Sequence, residues 1–305
     1  MTKVPDRAAW MDRTLERCDL CGNRCGADRL SGEVSVCGAD RLAEVAWRGL
    51  CNHIGPLVAG SGNAAVFRFD RCGLSCLGCR CSGVPGQEPQ GLETMTSEAL
   101  ADEIRRLVKA GASAVVLDAA TSYLPAVAPA LASVREAGLA VPVFYKSAAF
   151  ESPAALALLD GLVDVYMPDM KFACDDAAAV YAGVRNYVET SRSAVIAMHG
   201  QVGSAVFGPA GTLQRGLMVR HTVFPKGRSQ TVELLSWITA NLPPDTLVVL
   251  RCDYAPPREV MEGFFPELDS TLSEEQCEYF RDAARTLGLT NVRMLGPPPA
   301  QHPTV

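Results

Sequence analysis

The stretch NAAVFRFDRCGLSCLGCRC (63–81) joins an apolar run to a knot of cysteines. Its first part, NAAVFRFDR (63–71), predicts a strand rich in apolar residues and free of Gly and Pro. The strand runs into a loop with Cys72, Cys76 and Cys79 spaced C-x3-C-x2-C, and Cys81 close behind. Strand and helix patterns then alternate. SEALADEIRRLVKAG (97–111) predicts a helix, with Leu100, Ile104, Leu107 and Val108 on one face and Gly111 as its stop. ASAVVLDA (112–119) predicts a strand, and LPAVAPALASVREAG (124–138) a helix with Pro early and Gly at its end. VPVFYKS (141–147) is a strand, SPAALALLDG (152–161) a short helix, and VDVYMPDMK (163–171) a strand. GLMVRHTVFP (216–225), SQTVELLSWITANL (229–242), DTLVVLRCDY (245–254) and SEEQCEYFRDAARTLG (273–288) read strand, helix, strand, helix.

Six strand–helix units imply parallel strands flanked by helices. The expected class is α/β: an open, partial (β/α)6 TIM-like barrel with an N-terminal Cys-rich metal-binding extension. A doubly wound sheet is the alternative. In both, function sits beyond the C-terminal strand ends, where the cysteine loop falls. The chain divides into an N-terminal four-cysteine element (1–60), the partial barrel (61–260) and a C-terminal helix and tail (261–305). The tail GPPPAQHPTV (296–305) is expected to be disordered.

Composition is that of a globular chain: 305 residues, 48% hydrophobic, 20% charged, net charge −6. No Lys/Arg run exceeds a pair, so no nucleic-acid partner is expected. No stretch of 18 apolar residues predicts a membrane span, and MTKVPDRAAWMDRTLERC (1–18) is too charged for a secretory signal. A cytoplasmic location is expected. There, the 12 cysteines read as metal ligands or reactive groups rather than disulfides.

Three thiolates on a short loop can hold three irons of a 4Fe–4S cluster, leaving one iron open to a small molecule. A zinc loop is the competing reading. RCDLCGNRCGADRLSGEVSVCG (17–38), GSGNAAVFRFDRCGLSCLGC (60–79), LLDGLVDVYMPDMKF (158–172), HGQVG (199–203) and RGLMVRHTVFPKG (215–227) together narrow the choice. In this order they resemble the radical S-adenosylmethionine (SAM) superfamily, and within it the PflX-like group related to pyruvate formate-lyase activating enzyme. The resemblance covers about residues 16–257. It implies that Cys72, Cys76 and Cys79 ligate the cluster and that SAM chelates the open iron. One electron then cleaves the sulfonium, and the resulting adenosyl radical abstracts hydrogen from substrate. An electron donor such as flavodoxin or ferredoxin is implied. The chain departs from the group's pattern. Gly78 stands where an aromatic precedes the third ligand, Arg80-Cys81 replaces Gln-Asn, NHIGP (52–56) replaces an acidic stretch, and CDYAP (252–256) replaces a QY-x-P stretch.

Asp169 and Lys171 alternate at the end of the fourth strand and point to one face. The resemblance implies that they help hold SAM; a strand-end ion pair is the plainer reading. Arg220 is a charge inside an apolar strand and needs an anionic partner. The resemblance supplies the SAM carboxylate. His221 beside it reads as a satisfied core residue, and Ser147 as a further cofactor contact.

Cys18, Cys21, Cys25 and Cys37 form C-x2-C-x3-C-x11-C. Four thiolates suit zinc or a second, fully ligated 4Fe–4S cluster, and the cluster is favoured because cluster assembly is already required. Five thiols remain: Cys51, Cys81, Cys174, Cys252 and Cys277. A thiol that returns hydrogen to the opposite face of a substrate radical gives epimerisation. Cys252, ending TLVVLR (246–251), is the first donor candidate, Cys174 the second and Cys81 the third; Cys51 and Cys277 read as structural. The expected activity is therefore a radical epimerase acting on a small molecule, a sugar of natural-product biosynthesis. A glycyl-radical-enzyme activase acting on a partner protein is the alternative. A cluster-bearing electron-transfer or sensor protein is third.

Overall fold

The computed structural model describes residues 7–79 and 91–296. Cys81 and the tail beyond 296 lie outside the described residues, as does the first part of the N-terminal segment.

The strands are β1 (Ala43–Cys51), β2 (Asn63–Phe69), β3 (Glu93–Met95), β4 (Ala112–Asp118), β5 (Val143–Ser147), β6 (Val165–Pro168), β7 (Val206–Phe207), β8 (Leu213–Thr222), β9 (Leu247–Arg251) and β10 (Val292–Leu295). The helices are α1 (Arg7–Glu16), α2 (Pro56–Ala59), α3 (Ser97–Lys109), α4 (Leu124–Glu136), α5 (Pro153–Ala157), α6 (Asp175–Ala182), α7 (Tyr187–Val202), α8 (Thr231–Asn241), α9 (Arg258–Met261) and α10 (Glu274–Thr286).

Local chemistry accounts for the helix ends. Thr96 caps α3 by accepting from the Ala99 N–H; Glu98 sits in the first turn, and Arg106 and Lys109 in the last. Its buried stripe is Leu100, Ala101, Ile104 and Leu107. Ser273 and Gln276 close a reciprocal capping box on α10.

The described residues form two compact units. The first comprises 7–74, 91–168 and 190–217. Its strands run β3-β1-β2-β4-β5-β6-β8, with β7 antiparallel on β8. From β2 to β8 the pairing is parallel. The residues of β4 and β5 are nearly all buried, as in a sheet covered on both faces. The second unit comprises 75–79, 169–189 and 218–296. In it the second half of β8 pairs parallel with β9, and β9 with β10. Neither strand set closes on itself. The chain is a mixed α/β protein with open, mostly parallel sheet.

Several expectations are corrected. Residues 43–51 are not apart from the sheet: β1 lies antiparallel between β2 and β3. The strand expected over 163–171 ends at Pro168, which has no N–H to continue the ladder. Asp169 and Lys171 therefore follow the strand instead of alternating within it. α6, α7 and β10 were not foreseen.

Candidate metal and cofactor site

The second unit gathers most of the expected site residues. Cys76 and Cys79 sit on a five-residue loop, 75–79, fastened to the end of α6. The Ser75 N–H donates to the Ala182 carbonyl (3.0 Å), Leu77 N–H to the Tyr181 carbonyl (2.8 Å), and Cys79 N–H to the Cys76 carbonyl (3.1 Å). α6 is thus the anchor of the loop. Its signals were present: Cys174 caps it, its sulfur accepting from the Ala177 N–H, and Gly183 ends it in the left-handed region. Gly78 turns with φ +63°, and a Cβ there would lie 2.8 Å from the Cβ of Pro257. An aromatic side chain has no place at this position.

The segment after β6 is clamped from two sides. The Met170 N–H donates to the Arg220 carbonyl (2.8 Å). The Tyr187 hydroxyl donates to the Asp169 carbonyl (3.0 Å) and accepts from the Lys171 N–H (2.8 Å). The Asp169 carboxylate meets the Arg220 guanidinium (Nε–Oδ1 3.2 Å). The anionic partner that Arg220 requires is thus present in the chain itself. Burial by itself favours the neutral Lys171 amine; the negative charges of Cys76 and Asp169 outweigh it and hold the ammonium. Burial raises the Cys76 thiol, and Lys171 opposes that rise. Arg251 pairs with Asp253 through two bonds (3.1 and 2.8 Å) and also acts on Asp169. His221 is fully buried between the Met170 carbonyl (2.7 Å) and the Thr231 hydroxyl (2.9 Å). It is a satisfied core residue.

The leading thiol is elsewhere. Cys252 is wholly buried among Val223, Leu272 and Cys277, with Phe280 and Met294 against them. Chain alternation turns its side chain away from that of Arg251, which acts on Asp169. A hydrogen donor must reach substrate, and this thiol reaches α10. Cys174 instead lines a cavity of about 200 Å³ with Asp176, Tyr181, Arg228 and Gln230.

The first unit holds Ser147 and the amino-terminal cysteines. Ser147 is buried, and its hydroxyl accepts from the Ala149 N–H (3.2 Å) and bonds to Glu151. At the C-terminal ends of β2, β4 and β5, Asp118 joins Arg68 (3.0 Å) and Lys146 (2.7 Å). Sequence reasoning missed this triad; charges ending three apolar runs were its signal.

The strand-like pairing of Cys21 with Glu151 fixes the four-cysteine segment, as do bonds from Gly22 N–H to the Phe150 carbonyl (2.9 Å) and Ser152 N–H to the Leu20 carbonyl (2.9 Å). The four thiols influence one another. Burial pushes Cys21 up to about 12, with Cys18, Cys37 and Cys25 adding to the rise. Burial would raise Cys37 too, but hydrogen bonds from Ser122 and Ser35 and the charge of Arg29 lower it. Among the described residues, no three Cys, His, Asp or Glu side chains converge on a single ion position. The donor chemistry nevertheless fits a soft metal: four thiols in one segment, three of them acting on Cys21, and two more beside the half-buried Lys171.

No protein-family model matches the chain, and no curated protein does. Among the described residues, no helix is long and apolar enough to cross a membrane.

Proposed function

We propose that the chain is a radical SAM enzyme of partial-barrel architecture, with Cys72, Cys76 and Cys79 holding the SAM-binding 4Fe–4S cluster. One observation carries this reading. Residues 75–79 of the cysteine loop, with Cys76 and Cys79, and the Asp169–Lys171 segment, far apart in sequence, belong to one unit, with the half-buried Lys171 ammonium beside Cys76. Bound there, a cluster with SAM supplies one-electron cleavage of the sulfonium and hence hydrogen abstraction. The residues of the chain bind and orient. Lys171 offsets thiolate charge and offers a donor to a carboxylate or ribose hydroxyl. Arg220 pairs with Asp169 and holds it in place, and Tyr187 fixes the backbone from Asp169 to Lys171.

The substrate is a small molecule, a sugar in the leading reading, and the outcome is epimerisation. Cys174 carries the donor role, because its thiol lines a cavity with the polar groups Arg228 and Gln230. The cavity of about 200 Å³ has room for part of such a substrate. The amino-terminal four-cysteine site, as a second 4Fe–4S cluster or zinc, completes the metal content. An electron donor of the flavodoxin or ferredoxin type completes the cycle.

The test is anaerobic incubation of reconstituted protein with SAM, reductant and candidate sugars in D2O. Reductive SAM cleavage, with deuterium at an inverted carbon, supports the epimerase. Glycyl radical formed in an added partner protein would favour the activase. Absence of any SAM cleavage by protein with full cluster content overturns the enzyme reading.

A further inference from the structure

Arg29 is 2% exposed. A guanidinium stays protonated throughout the pH range of folded proteins, and a buried charge requires an opposite one. Among the described residues no carboxylate pairs with it. Among the described residues, its guanidinium donates to the carbonyls of Ser122 (2.9 Å) and Asp40 and bonds to the Cys18 thiol, while its Nε is buried without a partner. Its charge acts on two thiols, Cys18 and Cys37, and on the Tyr123 phenol. Cys18 is in turn coupled to Cys25, and Cys21 to all three of the others.

Backbone carbonyls carry no net charge and do not neutralise this cation. A centre with four thiolate ligands, whether zinc or 4Fe–4S, carries a net charge of roughly −2. We propose that Arg29 is the counter-charge of the four-cysteine site, so that metal loading, with loss of the thiol protons, completes a buried ion pair. The proposal rests on reading these cysteines as metal ligands. It adds that the metal-free segment carries an electrostatic penalty which metal removes, and that Arg29 couples metal uptake to folding.

The experiment uses the full chain carrying Cys72→Ala, Cys76→Ala and Cys79→Ala, so that only the amino-terminal site loads. Thermal unfolding is followed metal-free and after loading with iron and sulfide, or with zinc. The parent is compared with Arg29→Met, which keeps bulk, and Arg29→Lys, which keeps charge. The expected result is a large rise in Tm on loading for the parent and most of that rise for Arg29→Lys. Arg29→Met should show a much smaller rise, while its metal-free form is no less stable than the metal-free parent. Equal rises in the parent and Arg29→Met, at equal metal content, would overturn the counter-charge role. So would an equal destabilisation of Arg29→Met with and without metal, which marks a purely structural residue. A parent that takes up neither metal overturns the four-cysteine reading itself.

Discussion

Asp169 and Arg220 meet twice: their backbones form a parallel bridge, and their side chains pair at 3.2 Å. The contact joins the residue after β6 to Arg220 near the C-terminal end of β8, and both side chains are mostly buried. Asp169 therefore holds a cation that would otherwise be stranded in an apolar strand.

Asp169→Asn leaves Arg220 without that carboxylate. A stability loss of about 2 kcal/mol is expected from a half-broken, mostly buried pair. Urea unfolding measures it. Adding Arg220→Met should recover part of the loss, since the stranded charge is gone. SAM affinity, read by equilibrium binding to the cluster-loaded protein, should not recover, because Asp169 is also gone.

Gly78 is required by its backbone and by its neighbour. Gly78→Ala should cost about 1–2 kcal/mol for the left-handed conformation alone, and more for the 2.8 Å approach to Pro257. The Pro257 ring cannot swing aside as a flexible chain end does. Pro257→Gly in the same background should return the steric part and leave the backbone part. Equal stability of Gly78→Ala and wild type would refute the assignment.

His221 gives stability a pH dependence. Burial lowers its imidazole to about 4, against an ordinary value near 6.5. The folded state thus prefers the neutral ring. The contribution is fully present above about pH 6.5 and is lost as pH falls through about 4. Its span is roughly 3 kcal/mol. Chemical denaturation at pH 7 and pH 4 should show that fall in wild type, and a smaller fall by about this amount in a folded His221→Gln chain.

Cys252 and Cys174 should behave oppositely. Cys252→Ala trims a packed cluster and should cost about 1 kcal/mol while leaving turnover intact. Cys174→Ala should abolish deuterium incorporation at the inverted carbon. SAM cleavage should persist there, because Cys174 is no proposed cluster ligand. Loss of epimerisation in Cys252→Ala and not in Cys174→Ala would reverse the assignment.

Much of the architecture was legible in the chain. α3, β4 and β5 have strong apolar periodicity and clear end signals, so their positions follow from local chemistry. α6 and α7 were missed because their apolar residues do not form a clean stripe; part of α6 is spent on gripping the cysteine loop. The C-x3-C-x2-C loop, Asp169, Lys171 and Arg220 stood out as residues. Their partners did not, because Tyr187, Arg251 and Asp118 act across tertiary contacts that sequence separation hides.

The sequence alone determined the residue chemistry: the strongly periodic strands and helices such as α3, β4 and β5, the seven clustered thiols, and a charge in β8 that needed an opposite one. Periodicity, spacing and the cost of burying charge are local properties, readable from neighbours along the chain. Only the tertiary structure decided which partner each group receives. It paired Arg220 with Asp169, set Pro257 against Gly78, turned Cys252 toward Cys277, and buried Arg29 beside Cys18. Those outcomes depend on which face of a strand meets which element. A shift of one residue reverses that choice while changing almost nothing in the local pattern.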